Sequence, residues 1–311
     1  GSIIGPIEKD EGYDPNFSAA ANIATAPTGL LIPPSNVMIT FSLVSGGTSV
    51  AALFMAGYIP GALWALACML VVYIYAKKFG YRSQTKLTGK EKFNAFIQAL
   101  PCLLLIIIVI GGIIAGVFTA TEGSVVAVVY SLLLSIYGYK SMKWKDLPEI
   151  FRASAEMTGI IIFLIGVSSI MSWVMAFTNI PTMVSNGLLS ISSNKYIILL
   201  MINIILLVVG TFMDMTPATL IFTPIFLPVC TALGMNTIHF GIMLIFNLCI
   251  GTITPPVGTT LFVGVKVGGV KIETVFKHLL PYFFAIIVVL MLVTYIPQLS
   301  LWLPGLMGYV S

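Results

Sequence analysis

Charged side chains are scarce in this sequence. Asp, Glu, Lys and Arg together make up 8% of the 311 residues, whereas apolar residues make up 58%. Soluble domains carry about 25% charged residues, so this chain has too few charges to cover a globular surface of its size. The scarcity of charge excludes a soluble globular protein and predicts an exterior that is itself apolar.

Several long stretches contain no charged residue at all. A helix needs about 20 apolar residues to cross a bilayer, and backbone groups in lipid must be hydrogen-bonded within the protein. The stretches are continuously apolar and do not alternate with polar residues, which excludes a transmembrane β-barrel. We therefore predict an all-α membrane protein with several spans. The uncharged stretches are Asn16–Ala76, Phe93–Thr121, Met157–Asn194, Met215–Val265 and Leu279–Ser311.

The sequence also lacks the residue patterns of a catalytic or zinc site. Its four cysteines lie inside apolar segments without CxxC or Cys/His spacing, which predicts packing residues and neither a disulfide framework nor a zinc site. An intramembrane hydrolase would need paired carboxylates, an HExxH motif, or a nucleophile with a base. Only one acidic residue, Asp214, occurs between Glu156 and Glu273. We therefore predict that the protein is not an enzyme.

The basic residues are confined to a few loops. They cluster around Lys9 and within 77–92, 140–152 and 266–277, and only Lys195 stands apart. If these four loops are cytoplasmic, all but one of the 15 Lys and Arg residues obey the positive-inside rule. The order of the apolar segments between the loops is compatible with this topology. The net charge of +4 is thus explained by topology and gives no nucleic-acid signal.

The chain matches itself without a gap at an offset of 222 residues. In the predicted topology the first copy runs outward and the second runs inward. Inverted repeats are typical of secondary transporters, which bind their substrate near the bilayer midplane. Because long helices precede only the second copy, we expect that an N-terminal part of the repeat is missing here. The matched pairs include Gly12 with Gly234, Gly29 with Gly251, Pro33-Pro34 with Pro255-Pro256, and Gly46-Gly47 with Gly268-Gly269.

Two matching Pro-Pro pairs should break helices at the middle of the membrane. They lie in the segments Ala24–Asn36 and Gly251–Thr260, among Thr, Ser, Asn and Gly residues. Two adjacent prolines remove two N–H donors and push the preceding residue toward extended geometry. Backbone carbonyls freed in this way can hold a sodium ion, and a half-helix N-terminus can face an anion. A simple proline kink is the alternative interpretation.

A third element, Gly210–Thr219, has the pattern of the tip of a re-entrant hairpin. Two apolar arms, 196–209 and 217–232, flank it. Asp214 within it would lie inside the membrane, where an ionisable residue is a functional hypothesis by default. Asp214 could instead cap the helix that begins near Pro217, and both roles could hold together.

With these features the chain resembles the large membrane (M) subunit of tripartite ATP-independent periplasmic (TRAP) transporters. The resemblance implies an elevator-type transporter in a bacterial inner membrane, driven by sodium ions. It also implies a small membrane (Q) subunit, surrounding membrane lipid, and a periplasmic substrate-binding protein (P) that delivers an organic acid. The matching segments are Gly12-Tyr13, Phe17–Ala20, Gly29–Ser35, Thr119–Glu122, Gly210–Asp214, His239–Gly241 and Gly251–Gly258.

The resemblance also implies functional residues. One sodium site would include Thr28, Gly29 and Pro33. The other would include Gly210, Thr211, Asp214, Thr216, Gly251, Thr252 and Thr254. The residues nearest the substrate would be Ser35, Asn36, Pro256, Gly258 and Thr259.

The resemblance also implies how the chain is divided into transport and scaffold parts. Transport-domain parts would be 1–49 (the end of a first hairpin and a broken helix) and 196–268 (the second hairpin and broken helix). Scaffold parts would be 50–156 (scaffold and arm helices), 157–195 (a scaffold helix and outer connection) and 269–311 (an arm and the last scaffold helix).

The substrate and the exact transporter class stay open at the level of sequence. Sialic acid is the favoured substrate and a C4-dicarboxylate the alternative, from general likeness alone. A one-component sodium/dicarboxylate carrier would share hairpins and broken helices but would need no binding protein. A channel would pass solute without sodium coupling, and the inverted repeat argues against it.

Overall fold

The computed structural model describes residues 4–81, 88–192 and 194–309, and across these ranges the regular structure is helical, with no strand. Seven of the described helices are long and apolar enough to cross a membrane. An eighth span results if a pair of helices bent by 47°, Pro15–Leu31 and Asn36–Val44, counts as one. The prediction of an all-α membrane protein is confirmed.

Chain contacts divide the protein into two compact units. One contains Gly1–Ser83 with Val167–Ser311, and the other contains Gln84–Gly166. The helices α1 to α5 are Ile4–Asp10, Pro15–Thr25, Thr28–Leu31, Asn36–Val44 and Val50–Phe79. Those from α6 to α9 are Gly89–Ile114, Ala120–Leu133, Leu147–Phe177 and Ile180–Ile191. Those from α10 to α15 are Lys195–Phe212, Met215–Ala232, Thr237–Thr252, Thr259–Gly268, Ile272–Tyr295 and Gln298–Leu306.

The unit that contains Gln84–Gly166 includes a helical hairpin. Helices α6 and α7 pack against each other, and the hydroxyl of Tyr130 donates a hydrogen bond of 2.9 Å to the carbonyl of Pro101. Thr119 and Glu122 form a reciprocal capping box at the start of α7. A short π-helical stretch, Leu134–Gly138, continues α7. The exposed surface of these helices is largely apolar, as expected for contact with lipid or another protein.

The internal repeat is visible in the helices of the larger unit. Helices α2 and α5 begin at Pro15 and Val50, and α12 and α14 begin 222 residues later, at Thr237 and Ile272. Helices α1 and α11 end at the same offset. The turns repeat as well, because the equivalent residues Gly12 and Gly234 have φ angles of 82° and 73°. Positive φ at the end of a helix strongly favours glycine, which explains this part of the repeated sequence pattern.

The two copies pack reciprocally on each other. Helix α2 contacts α13 and α14, and its counterpart α12 contacts α4 and α5, which are the equivalents of α13 and α14. Such exchange of equivalent contacts is the geometry of a two-fold interface within one chain. The equivalent residues Pro27 and Cys249 meet at the centre, where the Cys249 thiol lies 3.9 Å from the Pro27 carbonyl oxygen. Reciprocal packing therefore brings both helix breaks toward one region.

Helix α12 is the centre of this unit. Every residue from Ile238 to Thr252 is buried, although this helix is shorter than the membrane-spanning ones. A helix that is apolar on all sides must be surrounded by other elements, and α12 contacts α10, α11, α5 and α14. The buried helix ends at the second Pro-Pro break.

Helix α5 supports the first break through small residues and one indole. A Cβ atom on Gly57 would overlap the carbonyl oxygen of Leu31, so glycine lets the two main chains approach closely. Two turns further, the fully buried Trp64 donates from Nε1 to the carbonyl of Ala24 at 2.8 Å. This bond satisfies a carbonyl near the end of α2, which the Cys68 thiol also approaches at 3.7 Å.

We predict that Gly57→Ala lowers the free energy of unfolding by about 1–3 kcal/mol, because the added methyl group must displace the Leu31 main chain. Thermal unfolding of the purified protein in detergent measures the change. The matched control is Gly111→Ala in α6, where a Cβ would meet no atom within 4 Å. The control should be neutral or stabilising, since alanine is the better helix former. Equal destabilisation by both changes would contradict this account of the contact.

Candidate functional site

The first break separates α3 from α4. Residues Ile32 to Ser35 are not helical, the Pro33–Pro34 peptide bond is cis, and Ser35 occupies the N-cap of α4 in extended geometry. The helix is therefore interrupted over several residues and is not merely kinked, as the sequence predicts for two adjacent prolines. The interruption leaves carbonyl groups outside the regular helical hydrogen-bond ladder.

Two hydroxyl groups at the first break have no hydrogen-bond partner among the described residues. They are Thr28 Oγ1 and Ser35 Oγ, and both atoms are buried. Ser35 as a whole is only 2% exposed. A buried hydroxyl without a partner is unfavourable by about 1–3 kcal/mol, so such groups usually mark the place of a ligand or an ordered water. Thr28 and Ser35 are thus oriented for a polar ligand.

The second break repeats this geometry between α12 and α13. Residues Ile253 to Gly258 lie between the two helices, and the Pro255–Pro256 peptide bond is cis. Gly258 occupies the N-cap position of α13 with a φ angle of 31°, a backbone conformation that residues other than glycine rarely adopt. The hydroxyls of Thr252 and Thr254 donate to the carbonyls of Cys249 and Ile250. Their oxygen lone pairs stay available to a cation.

The predicted hairpin tip docks onto this second break. Helices α10 and α11 are joined by only Met213 and Asp214, which forms a tight tip. The backbone N–H of Val257 donates to the carbonyl of Thr211 at 3.1 Å. A Cβ on Gly251 would overlap the Gly210 main chain, so the two glycines permit direct backbone contact. The structure therefore brings Gly210, Thr211 and Gly251 together, as predicted.

Asp214 occupies the N-cap position of α11, but its side chain makes no capping hydrogen bond. By contrast, Asp14 at the start of α2 accepts hydrogen bonds of 2.9 Å from the N–H groups of Asn16 and Phe17. The exposed carboxylate of Asp214 instead accepts a long hydrogen bond of 3.4 Å from the hydroxyl of Thr259. The carboxylate is consequently turned toward the start of α13 and away from its own helix.

The other predicted site residues differ in how far they are exposed. Pro33, Ser35 and Gly258 are buried, Thr216 is half-buried, and Gly29, Asn36 and Pro256 are exposed. Within the described ranges, no side-chain hydrogen bond joins Ser35 or Asn36 to the residues predicted near the substrate at the second break. The first break instead approaches the second copy through the contact of Pro27 with Cys249.

The ligands available at these breaks are oxygen atoms. They are main-chain carbonyls, Ser and Thr hydroxyls, and the single carboxylate of Asp214. Among the described residues, no three His, Cys, Asp or Glu side chains group together as a metal cluster would require. An oxygen set with one negative charge suits a hard cation of low charge, and carbonyls of interrupted helices are known to bind sodium in transporters.

A set of three polar side chains near the site was not predicted from the sequence. Asn203, Asn247 and Thr294 form a buried hydrogen-bonded network between α10, α12 and α14. The sequence pattern that could have indicated this network is the presence of two asparagines in otherwise apolar membrane helices. Such residues are rare there unless they pair with other polar groups or take part in function.

Comparison with known proteins identifies the family of the chain. A family profile described as "Tripartite ATP-independent periplasmic transporter, DctM component" matches residues 1–299. The uncharacterized protein YgiK of Salmonella typhimurium is 52% identical over 98% of this chain and 70% of its own length.

Two further relatives are named as transporter permeases. The sialic acid TRAP transporter large permease protein SiaM of Vibrio cholerae is 36% identical over 97% of this chain and 70% of its own length. The C4-dicarboxylate TRAP transporter large permease protein DctM of Rhodobacter capsulatus is 34% identical over 99% of this chain and 73% of its own length. These relatives confirm the prediction of a transporter permease and not an enzyme. The chain belongs to the family of DctM components, the large permeases of tripartite ATP-independent periplasmic transporters.

Proposed function

We propose that this permease takes up an organic acid in symport with sodium ions, across the inner membrane of a bacterium. The observation that carries the proposal is the docking of the hairpin tip on the second helix break, with the carboxylate of Asp214 making no capping hydrogen bond to its own helix. A carboxylate that does not cap its helix at such a position is a natural partner for a cation. The proposal rests on this geometry together with the family of the chain.

Two sodium sites follow the two breaks. The first would use Thr28, Gly29 and Pro33, where the unpaired Thr28 hydroxyl supplies one oxygen. The second would lie between the hairpin tip and the end of α12, where the Gly210 main chain meets Gly251 and the Thr211 carbonyl accepts the N–H of Val257. Its ligands would come from Gly210, Thr211, Asp214, Thr216, Gly251, Thr252 and Thr254. A bound cation there would tie the hairpin to the broken helix and so couple sodium binding to the position of the tip.

The substrate would be a small organic anion. Helices α4 and α13 begin at Asn36 and Thr259, and the positive end of each helix dipole suits a carboxylate or sulfonate. The buried, unpaired hydroxyl of Ser35 offers a further hydrogen bond at the first of these helix starts. Relatives are named for sialic acid, C4-dicarboxylates and isethionate, which share only a small anionic group. We therefore propose the anion class and test sialic acid first.

An elevator motion is the mechanism that we propose for translocation. The two broken helices pack reciprocally on each other, and the hairpin tip is bonded to one of them. A block held together in this way can move as one body while its bound ions and substrate stay in place. The remaining parts of the assembly would be a small membrane subunit, which supports the scaffold, and a periplasmic protein that delivers the substrate.

A one-component sodium/dicarboxylate carrier remains the second candidate. The observation in its favour is that hairpins and helix breaks belong equally to carriers that act alone. The family of the chain favours the three-part assembly.

Uptake of labelled sialic acid into liposomes that contain the full-length protein and its small subunit separates these candidates. We predict uptake only when an inward sodium gradient and the binding protein are both present. Uptake with sodium alone would support the one-component carrier. Uptake without a sodium gradient would contradict sodium symport. If sialic acid fails in every condition, C4-dicarboxylates and isethionate are assayed in the same vesicles, and failure of the whole panel would contradict the anion class.

Loss of a proposed ligand should weaken sodium binding specifically. We predict that Asp214→Asn and Thr28→Val each raise the sodium concentration for half-maximal uptake by about tenfold, corresponding to about 1.4 kcal/mol. The control is Thr231→Val on α11, an exposed residue whose hydroxyl donates only to carbonyls of its own helix. If the control shifts the sodium dependence as much as the ligand variants do, the assignment is wrong.

A further inference from the structure

Three buried polar side chains join α10, α12 and α14 in the apolar interior. Asn203 and Asn247 are 0% exposed and Thr294 is 1% exposed. The amide nitrogen of Asn247 donates to Asn203 Oδ1 at 2.6 Å, and that of Asn203 lies 3.2 Å from Thr294 Oγ1. Each asparagine also donates to the carbonyl four residues earlier in its own helix. The network fixes the register of three helices at one level.

A second contact joins two of these helices, α12 and α14, at the residue before Thr294. His239 Nε2 lies 2.8 Å from the carbonyl oxygen of Val293, the residue that precedes Thr294. His239 and Asn247 are eight residues apart on α12 and therefore lie on one face, two turns from each other. Helix α12 is thus held through two side chains of the same face.

This face continues to the second helix break. Gly251 follows Asn247 by four residues, one helical turn, and Gly210 follows Asn203 by seven, two turns. Gly251 and Gly210 are the pair whose main chains touch at the hairpin tip. The asparagine pair therefore sets how α10 lies on α12 immediately before the tip meets the break.

The network is not a general consequence of the repeat. The equivalents of His239, Asn247 and Thr294 in the first copy are Phe17, Thr25 and Val72, which cannot form the same bonds. Moreover, Asn247 Oδ1 has no hydrogen-bond partner among the described residues. An apolar trio of similar volume would avoid this unfavourable atom, so polar residues here indicate a requirement for a defined register.

We propose that Asn203 and Asn247 are positioning residues for the second cation site. They touch neither sodium nor substrate, and they act by holding α10 in register on α12. In that register the Gly210 main chain meets Gly251 near the end of α12, and the Thr211 carbonyl meets Val257 of the second break. This inference rests on the proposed sodium coupling and adds residues that the resemblance does not imply.

Replacement of either asparagine should weaken sodium binding without equal loss of transport at saturating sodium. For Asn247→Leu and Asn203→Leu in the reconstituted full-length transporter, we expect half-maximal uptake at about tenfold higher sodium, the effect usual for groups that orient ligands. Thr294→Val keeps the shape of the residue and removes only the contacts of its hydroxyl with Asn203, so a smaller shift in the same direction is expected. This milder variant keeps the test valid if a leucine variant does not fold.

The matched control is Tyr295→Phe. The Tyr295 hydroxyl donates to the carbonyl of Tyr196 at 3.0 Å, so it also joins α14 to α10, but at the end of α10 remote from the tip. Its loss should leave the sodium dependence unchanged, although it removes a bond between the same two helices. If Tyr295→Phe and Asn247→Leu shift the sodium concentration for half-maximal uptake equally, the network has no special effect on the cation site and the proposal is overturned.

A binding readout separates this inference from sodium coupling itself. The rise in melting temperature on replacing potassium chloride by sodium chloride reports cation binding without transport. If the unaltered protein shows no such rise, the second sodium site fails together with the inference. If the unaltered protein responds to sodium and Asn247→Leu responds equally at every concentration, only the inference fails. The double leucine variant should shift no further than Asn203→Leu alone, because that change already removes the bonds of Asn203 to both Asn247 and Thr294.

Discussion

The structure depends on a single constraint: main-chain polar groups inside a membrane must be hydrogen-bonded by the protein or face a wet cavity. Two helices of this chain violate regular helical bonding at Pro33-Pro34 and Pro255-Pro256. Neighbouring elements compensate at both places. Trp64 satisfies the carbonyl of Ala24 near the first break, and at the second the carbonyl of Thr211 accepts the N–H of Val257. In the sodium symport that we propose, carbonyls left outside the helical hydrogen bonding would be the ones that bind an ion.

The internal repeat explains how one chain can bury two such breaks. Each broken helix packs on the other copy: α12 contacts α4 and α5, just as α2 contacts their equivalents α13 and α14. The copies are nevertheless unequal in chemistry. The second copy holds Asp214 at the hairpin tip and the asparagine network behind it, while the first relies on Trp64 and on glycines of α5. Under the proposed sodium coupling, the two sites would differ in strength, and the one with Asp214 would be better suited to tie the hairpin to its broken helix.

Much of the fold and of the site could be predicted from the sequence, because its main signals are local. Two prolines break a helix wherever they occur, and glycines at repeated positions mark the same turns twice. The orientation of the Asp214 carboxylate could not be predicted, since it depends on Thr259, which is 45 residues away. The network of Asn203, Asn247 and Thr294 depends likewise on helix packing. The division into transport and scaffold parts stays a prediction. Helix α5, which it assigns to the scaffold, packs directly on α3, which it assigns to the transport part.

The central claim is that the helix breaks are cation sites. Cryo-electron microscopy of the full-length transporter in sodium chloride and in potassium chloride tests it most directly. The account predicts density among the carbonyl and hydroxyl oxygens at Thr28–Pro33, and between Gly210–Asp214 and Gly251–Thr254, in sodium but not in potassium. Identical maps at both breaks in the two salts would contradict the claim, whatever the transport assays report.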